Sequence, residues 1–107
     1  MHAVADVPSF ASIAERHLDD VHAYLVYLTR DRGVAEDLTA ETFERALRLW
    51  RRFDPRRGSA RTWLCQLART TALDHFRAED RRRRREGAYA AADRELPEEG
   101  LFGGLSP

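Results

Sequence analysis

Apolar residues recur every three or four positions in three successive stretches of this 107-residue chain, and no stretch shows the strict alternation of a half-buried strand. The first stripe is Phe10, Ile13, Ala14, Leu18, Val21, Leu25 and Leu28. The second is Val34, Ala35, Leu38, Phe43, Ala46, Leu47 and Trp50, with Phe53 at its end. The third is Ala60, Trp63, Leu64, Leu67, Ala68, Thr71, Ala72, His75 and Phe76. Each stripe is one face of an amphipathic helix and needs another element to cover it. A chain of this length holds one core. The expected fold is therefore all-α: a compact three-helix bundle with helices over about 9–30, 34–53 and 59–84.

Turn chemistry separates the stripes. Ser12 to Glu15 reads Ser-Ile-Ala-Glu, the spacing of a capping box, and Ser9 after Pro8 is the alternative cap. The second helix is expected to start at Val34, after Gly33. It stops at Asp54-Pro55, because proline disfavours a helical residue before it. Asp54-Pro55 opens a type I turn, Gly58 is free to take a positive φ, and Ser59 caps the third helix. From Gly87 the periodicity is lost in a small, acidic segment punctuated by glycine and proline. Residues 87–107 read as a flexible acidic linker or tail, with one short helical turn near residues 89–93.

The net charge is zero, yet the charges are segregated. All 18 basic residues are arginine. Residues 1–50 carry a net −4, residues 51–86 a net +7 and residues 87–107 a net −3. A basic block of that size is the usual electrostatic footprint for a polyanion. Cys65 is the single cysteine, which rules out an internal disulfide, and no Cys/His cluster has zinc spacing. No signal peptide and no membrane-length apolar run is visible, so a cytoplasmic location is expected. There is no phosphate-binding glycine loop and no nucleophile motif, and neither an enzyme nor a cofactor or metal is expected.

Two surfaces draw attention. On the second helix, Asp37, Glu41, Glu44 and Arg48 fall at spacings of four, three and four, opposite the apolar stripe. They form either a solvated face or a docking surface for a basic partner. In the turn and third helix, Arg56, Arg57, Arg61, Arg69 and Arg77 surround a helix start whose free amides and dipole favour a phosphate. These arginines either contact nucleic acid or pair with Asp74, Glu79 and Asp80. Trp50 and Trp63 read first as core residues, and Trp63 also sits close enough to the helix start to face a ligand. The arginine run at 81–85 is a solvated helix end or a nonspecific phosphate contact.

The order of these pieces resembles a known family. An acidic helix reading Ala-Glu-Asp-Leu and then Glu-Thr-Phe from Ala35, the Phe53 to Ser59 turn, Thr62-Trp63-Leu64 and the Ala72 to Arg77 segment are similar to conserved region 2 of bacterial sigma factors. Within them the likeness is to the extracytoplasmic-function group, over about residues 9–86. The resemblance implies a domain that binds core RNA polymerase, recognises the minus-ten promoter element and helps to melt it for transcription initiation. By resemblance, Asp37 and Glu41 dock on the clamp coiled coil of the largest polymerase subunit, with Glu44 and Arg48 at the edge. Arg57, Gly58, Ser59, Ala60, Arg61 and Thr62, beside Arg56, capture a base flipped from the non-template strand. Arg69, Thr70, Asp74 and Arg77 face the upstream edge of the melted DNA, and Trp63 braces the loop. The alternative is an interaction module that an anti-sigma factor sequesters, without DNA binding of its own.

Family members often have glutamine where Ala40 stands and asparagine where Thr70 stands, so the polymerase contact and the preferred promoter base are open at those positions. Such sigma factors also continue through a linker into a helix-turn-helix region 4. No such pattern follows residue 86; a truncated chain is the expectation, and a naturally isolated domain is the alternative.

Overall fold

The computed structural model describes residues 9–87, and among them there are three α-helices, one 3-10 turn and no strand. Helix α1 spans Phe10–Thr29, α2 spans Arg32–Arg48 and α3 spans Ala60–Arg85. All three helices pack against one another, which is the expected three-helix bundle. The tail and the helical turn expected near residues 89–93 lie outside the described residues.

Each helix starts on a side-chain cap. Ser9 caps α1, its Oγ accepting from Ser12 N–H at 3.1 Å, so of the two candidate signals the one after Pro8 is used. The Asp31 carboxylate caps α2 by accepting from Val34 N–H at 3.1 Å. That cap moves the start of α2 to Arg32, two residues earlier than expected, because Gly33 is tolerated inside a first turn that Asp31 closes. Ser59 caps α3 as expected, accepting from Thr62 N–H at 3.1 Å.

The end of α2 also differs from the expected single helix to Phe53. The α-helix stops at Arg48, Leu49 leaves helical geometry and Trp50–Arg52 form a 3-10 turn. In a 3-10 turn the side chains three apart eclipse. Trp50 and Phe53 therefore stack, with ring centroids 5.3 Å apart and planes 11° apart. Trp63 of α3 packs on both rings, at 5.9 and 5.2 Å, and Phe10 of α1 meets Trp50 edge-on at 5.3 Å. This aromatic cluster ties the 3-10 turn and Phe53, at the entrance to the 54–59 turn, to α1 and α3.

The core is formed by Val21, Tyr24 and Leu25 of α1, Ala35, Leu38 and Ala46 of α2, and Leu64, Cys65, Ala68, Ala72 and Phe76 of α3. Each large aliphatic side chain buried here contributes about 1.5–3 kcal/mol relative to exposure. Two stripe positions are corrected: Leu18 is 47% exposed and Leu47 59% exposed. Leu47 is turned out because α2 buries Thr39 and Thr42 on its central line instead. Their hydroxyls donate to the carbonyls of Ala35 and Leu38, both at 2.7 Å, so the polar groups are satisfied within the helix and the methyls pack.

Candidate nucleic-acid interface

The 54–59 turn is built by its own side chains. Arg57 N–H donates to the Asp54 carbonyl at 3.0 Å, closing the turn opened by Asp54-Pro55. The Asp54 carboxylate accepts from Arg56 N–H at 2.9 Å and from Arg56 Nε and Nη2 at 3.1 Å each. Hydrogen bonding from the Arg56 side chain holds the Asp54 carboxyl below its ordinary value, the Arg56 backbone amide adds to this, and slight desolvation opposes it. Gly58 takes φ 157°, a region that side-chain-bearing residues rarely adopt. A Cβ there would meet nothing within 4 Å, so the backbone and not the space requires glycine.

Two hollows flank this turn. The first is a cleft of about 390 Å³ between Arg52, Arg57, Ser59, Thr62 and Gln66, with Phe53 and Trp63 forming its apolar wall. Arg57 is exposed and forms no ion pair with a described residue. Ser59 Oγ donates to Thr62 Oγ1 at 3.0 Å, which fixes both hydroxyls at the rim. The second is a larger groove of about 580 Å³ on the α1 side, where Ala60 and Arg61 face His17, Arg16 and Arg51. Arg61 Nε lies 3.0 Å from Asp20 Oδ2 of α1. Burial holds the His17 imidazole below its ordinary value; Asp20 opposes that shift, and Arg16 and Arg61 reinforce it.

Of the residues singled out in the sequence, Arg57, Gly58, Ser59, Thr62 and Trp63 therefore share one cleft. Ala60 and Arg61 do not join them, and Arg56 is folded onto Asp54 with its side chain 88% exposed. Further along α3, Thr70, Asp74 and Arg77 are exposed and Arg69 is half-buried. The Thr70 hydroxyl donates to the Gln66 carbonyl at 3.1 Å. Arg52, Phe53 and Gln66 were not anticipated in the cleft. Gln66 carries a readable signal, since it lies one turn after Thr62 on the same helix face.

The acidic face of α2 stands as expected, with Asp37, Glu41, Glu44 and Arg48 all exposed. Glu44 lies 3.8 Å from Arg48. Arg45 was missed: its Nη2 sits 3.3 Å from Glu41 Oε2 and 3.0 Å from Asp74 Oδ2, joining the acidic face of α2 to the outer face of α3. Among the described residues no group of three His, Cys, Asp or Glu side chains is placed to hold a metal. None of the described helices is long and apolar enough to cross a membrane.

The described residues thus form a small all-α bundle with an open, arginine-lined cleft at the start of α3. Residues 13–82 match the family model described as Sigma-70 region 2. The chain belongs to the Sigma-70 region 2 family. It is 34% identical over 98 residues to the ECF RNA polymerase sigma factor SigK of Mycobacterium sp. (strain KMS), a match covering 89% of this chain and 49% of that protein. It is 50% identical over 58 residues to the ECF RNA polymerase sigma factor SigC of Mycobacterium tuberculosis, covering 54% of this chain and 30% of that protein. The ECF RNA polymerase sigma factor SigX of Bacillus subtilis is 32% identical over 77 residues, covering 72% and 39% of the two chains. The chain thus spans about half the length, or less, of these curated relatives. No solved structure matches it significantly.

Proposed function

We propose that this chain is the part of an extracytoplasmic-function type sigma factor that docks on core RNA polymerase and captures the non-template strand of the minus-ten promoter element. One observation carries the reading above all: arginine, hydroxyl and amide groups converge with two aromatic rings on a single open cleft at the start of α3. Arg52 and Arg57 meet the phosphates flanking a flipped base, which rests against Phe53 and Trp63. Ser59, Thr62 and Gln66 supply hydrogen-bonding groups to its edge. Asp37, Glu41, Glu44 and Arg48 form the polymerase-docking face, on the clamp coiled coil of the largest subunit.

Unstacking a base costs a few kcal/mol, and a cleft this open recovers only part of it. The isolated chain therefore binds the minus-ten strand weakly, and polymerase strengthens the binding by positioning it. The test compares capture of a labelled minus-ten oligonucleotide by the chain with and without core polymerase. Asp37→Arg and Glu41→Arg should each abolish the polymerase-dependent gain while leaving helical content unchanged. Survival of the gain in both variants would remove the acidic face from the docking surface.

A further inference from the structure

The larger groove on the α1 side is not used by the proposed base capture. Its floor is apolar, formed by Ile13, Trp50, Phe53 and Pro55, and its rim carries Arg16, Arg51 and Arg61. Its volume of about 580 Å³ falls within the roughly 300–1,000 Å³ of ordinary binding pockets. Arg61 is turned to Asp20 at 3.0 Å. Arg16 and Arg51 are exposed and form no ion pair with a described residue. An apolar floor under unmatched arginines suits an occupant that combines large apolar side chains with carboxylates.

The chain itself supplies such a segment. Residues 88–107 carry Asp93, Glu95, Glu98 and Glu99 against the single Arg94, and Leu101 and Phe102 follow the glutamates. Residues 1–8 adjoin α1 but hold one acid, Asp6. Length also fits. From Gly87 back to Arg61 the axis of α3 runs about 39 Å. Phe102 lies fifteen residues after Gly87, and an extended chain of that length reaches about 50 Å. Glu99, at twelve residues, reaches about 40 Å.

We propose that the segment from Glu98 to Phe102 docks in this groove, with Leu101 and Phe102 on its floor and Glu98 and Glu99 at Arg16 and Arg51, and thereby lowers the affinity of the free chain for DNA. Phe53, Gly58 and Ser59 line both the groove and the cleft. Carboxylates seated in the groove therefore repel a phosphate in the cleft, since charges act over about 10 Å at 0.1 M salt. The effect on DNA rests on the reading of the cleft given above; the docking does not.

The test uses the full chain with a nitroxide on Gly104→Cys, Cys65 being buried and so shielded from the label. Docking should broaden the Trp50 indole resonance more than the Val34 amide, which lies beside Glu79 towards the far end of α3. An undocked segment, tethered at Gly87, broadens Val34 more. The double variant Leu101→Ser, Phe102→Ser should lose the Trp50 broadening. So should deletion of residues 88–92, which cuts the reach of Phe102 to about 33 Å, short of the groove. Both should bind the minus-ten oligonucleotide about threefold more tightly than wild type without polymerase, the factor set when about a third of wild-type chains have the groove empty. Trp50 broadening that is absent in wild type, that survives either change, or that arises only between labelled and unlabelled copies overturns the docking; the last places a second copy in the groove. Lost broadening with unchanged oligonucleotide affinity overturns the inhibition. If no form of the chain binds the oligonucleotide even with polymerase, the cleft reading fails and the inhibition with it, while the docking still stands or falls on the broadening.

Discussion

Asp54 shows how one side chain sets the turn that fronts the cleft. Its carboxylate accepts three hydrogen bonds from Arg56, and its carbonyl accepts one from Arg57 N–H. Because the folded carboxyl is held below its ordinary value, ionised Asp54 stabilises the fold. That contribution is fully present above the unfolded-state value of about 3.9 and is lost as pH falls through the lower folded-state value. Asp54→Asn should therefore lower the urea midpoint at neutral pH, and the gap to wild type should narrow as the pH is taken below about 4. A gap that stays constant across that range would show that the carboxylate's charge contributes nothing. The neighbouring Gly58 matters for another reason: its φ of 157° is a backbone requirement, with open space around the missing Cβ.

Between elements, Arg45 joins α2 to α3 through Asp74 and also meets Glu41 on its own helix. Its side chain is 25% exposed, so solvent screens the bridge and its worth is modest. Arg45→Ala should destabilise the bundle by about 0.5–1 kcal/mol, read as a shift in urea unfolding. The loss should be less than additive with Asp74→Ala, since each change removes the same pair. Strict additivity would mean that the two side chains do not interact in solution. The aromatic cluster is the second inter-element device. The 3-10 turn at Trp50–Arg52 stacks Phe53 on Trp50, and α3 then closes on both through Trp63.

For the whole molecule, charge segregation dominates: +7 over residues 51–86 and −4 over residues 1–50 in a chain of zero net charge. With about four phosphates contacted on the single minus-ten strand, log K should fall against log salt with a slope near −3, at about −0.7 per phosphate. A salt-independent affinity would contradict the nucleic-acid reading. The segregation, the three helices and the turn chemistry at 54–59 were all legible in the sequence, because periodicity and capping act over a few neighbouring residues. So was the acidic face, whose spacing alone sets it opposite the core. Thr39 and Thr42 were not legible as core, because their hydroxyls are satisfied by their own helix. Nor was the separation of Arg57 from Arg61, four residues apart across the start of α3 yet lining different hollows. By itself the sequence determined an all-α bundle and where its charges gather. Only the tertiary structure decided that Arg52, Phe53 and Gln66 complete the cleft, that Arg61 turns to Asp20, and that Arg45 neutralises Asp74. Those are distances between helices, which the packing of three helices fixes and the periodicity of one helix cannot encode.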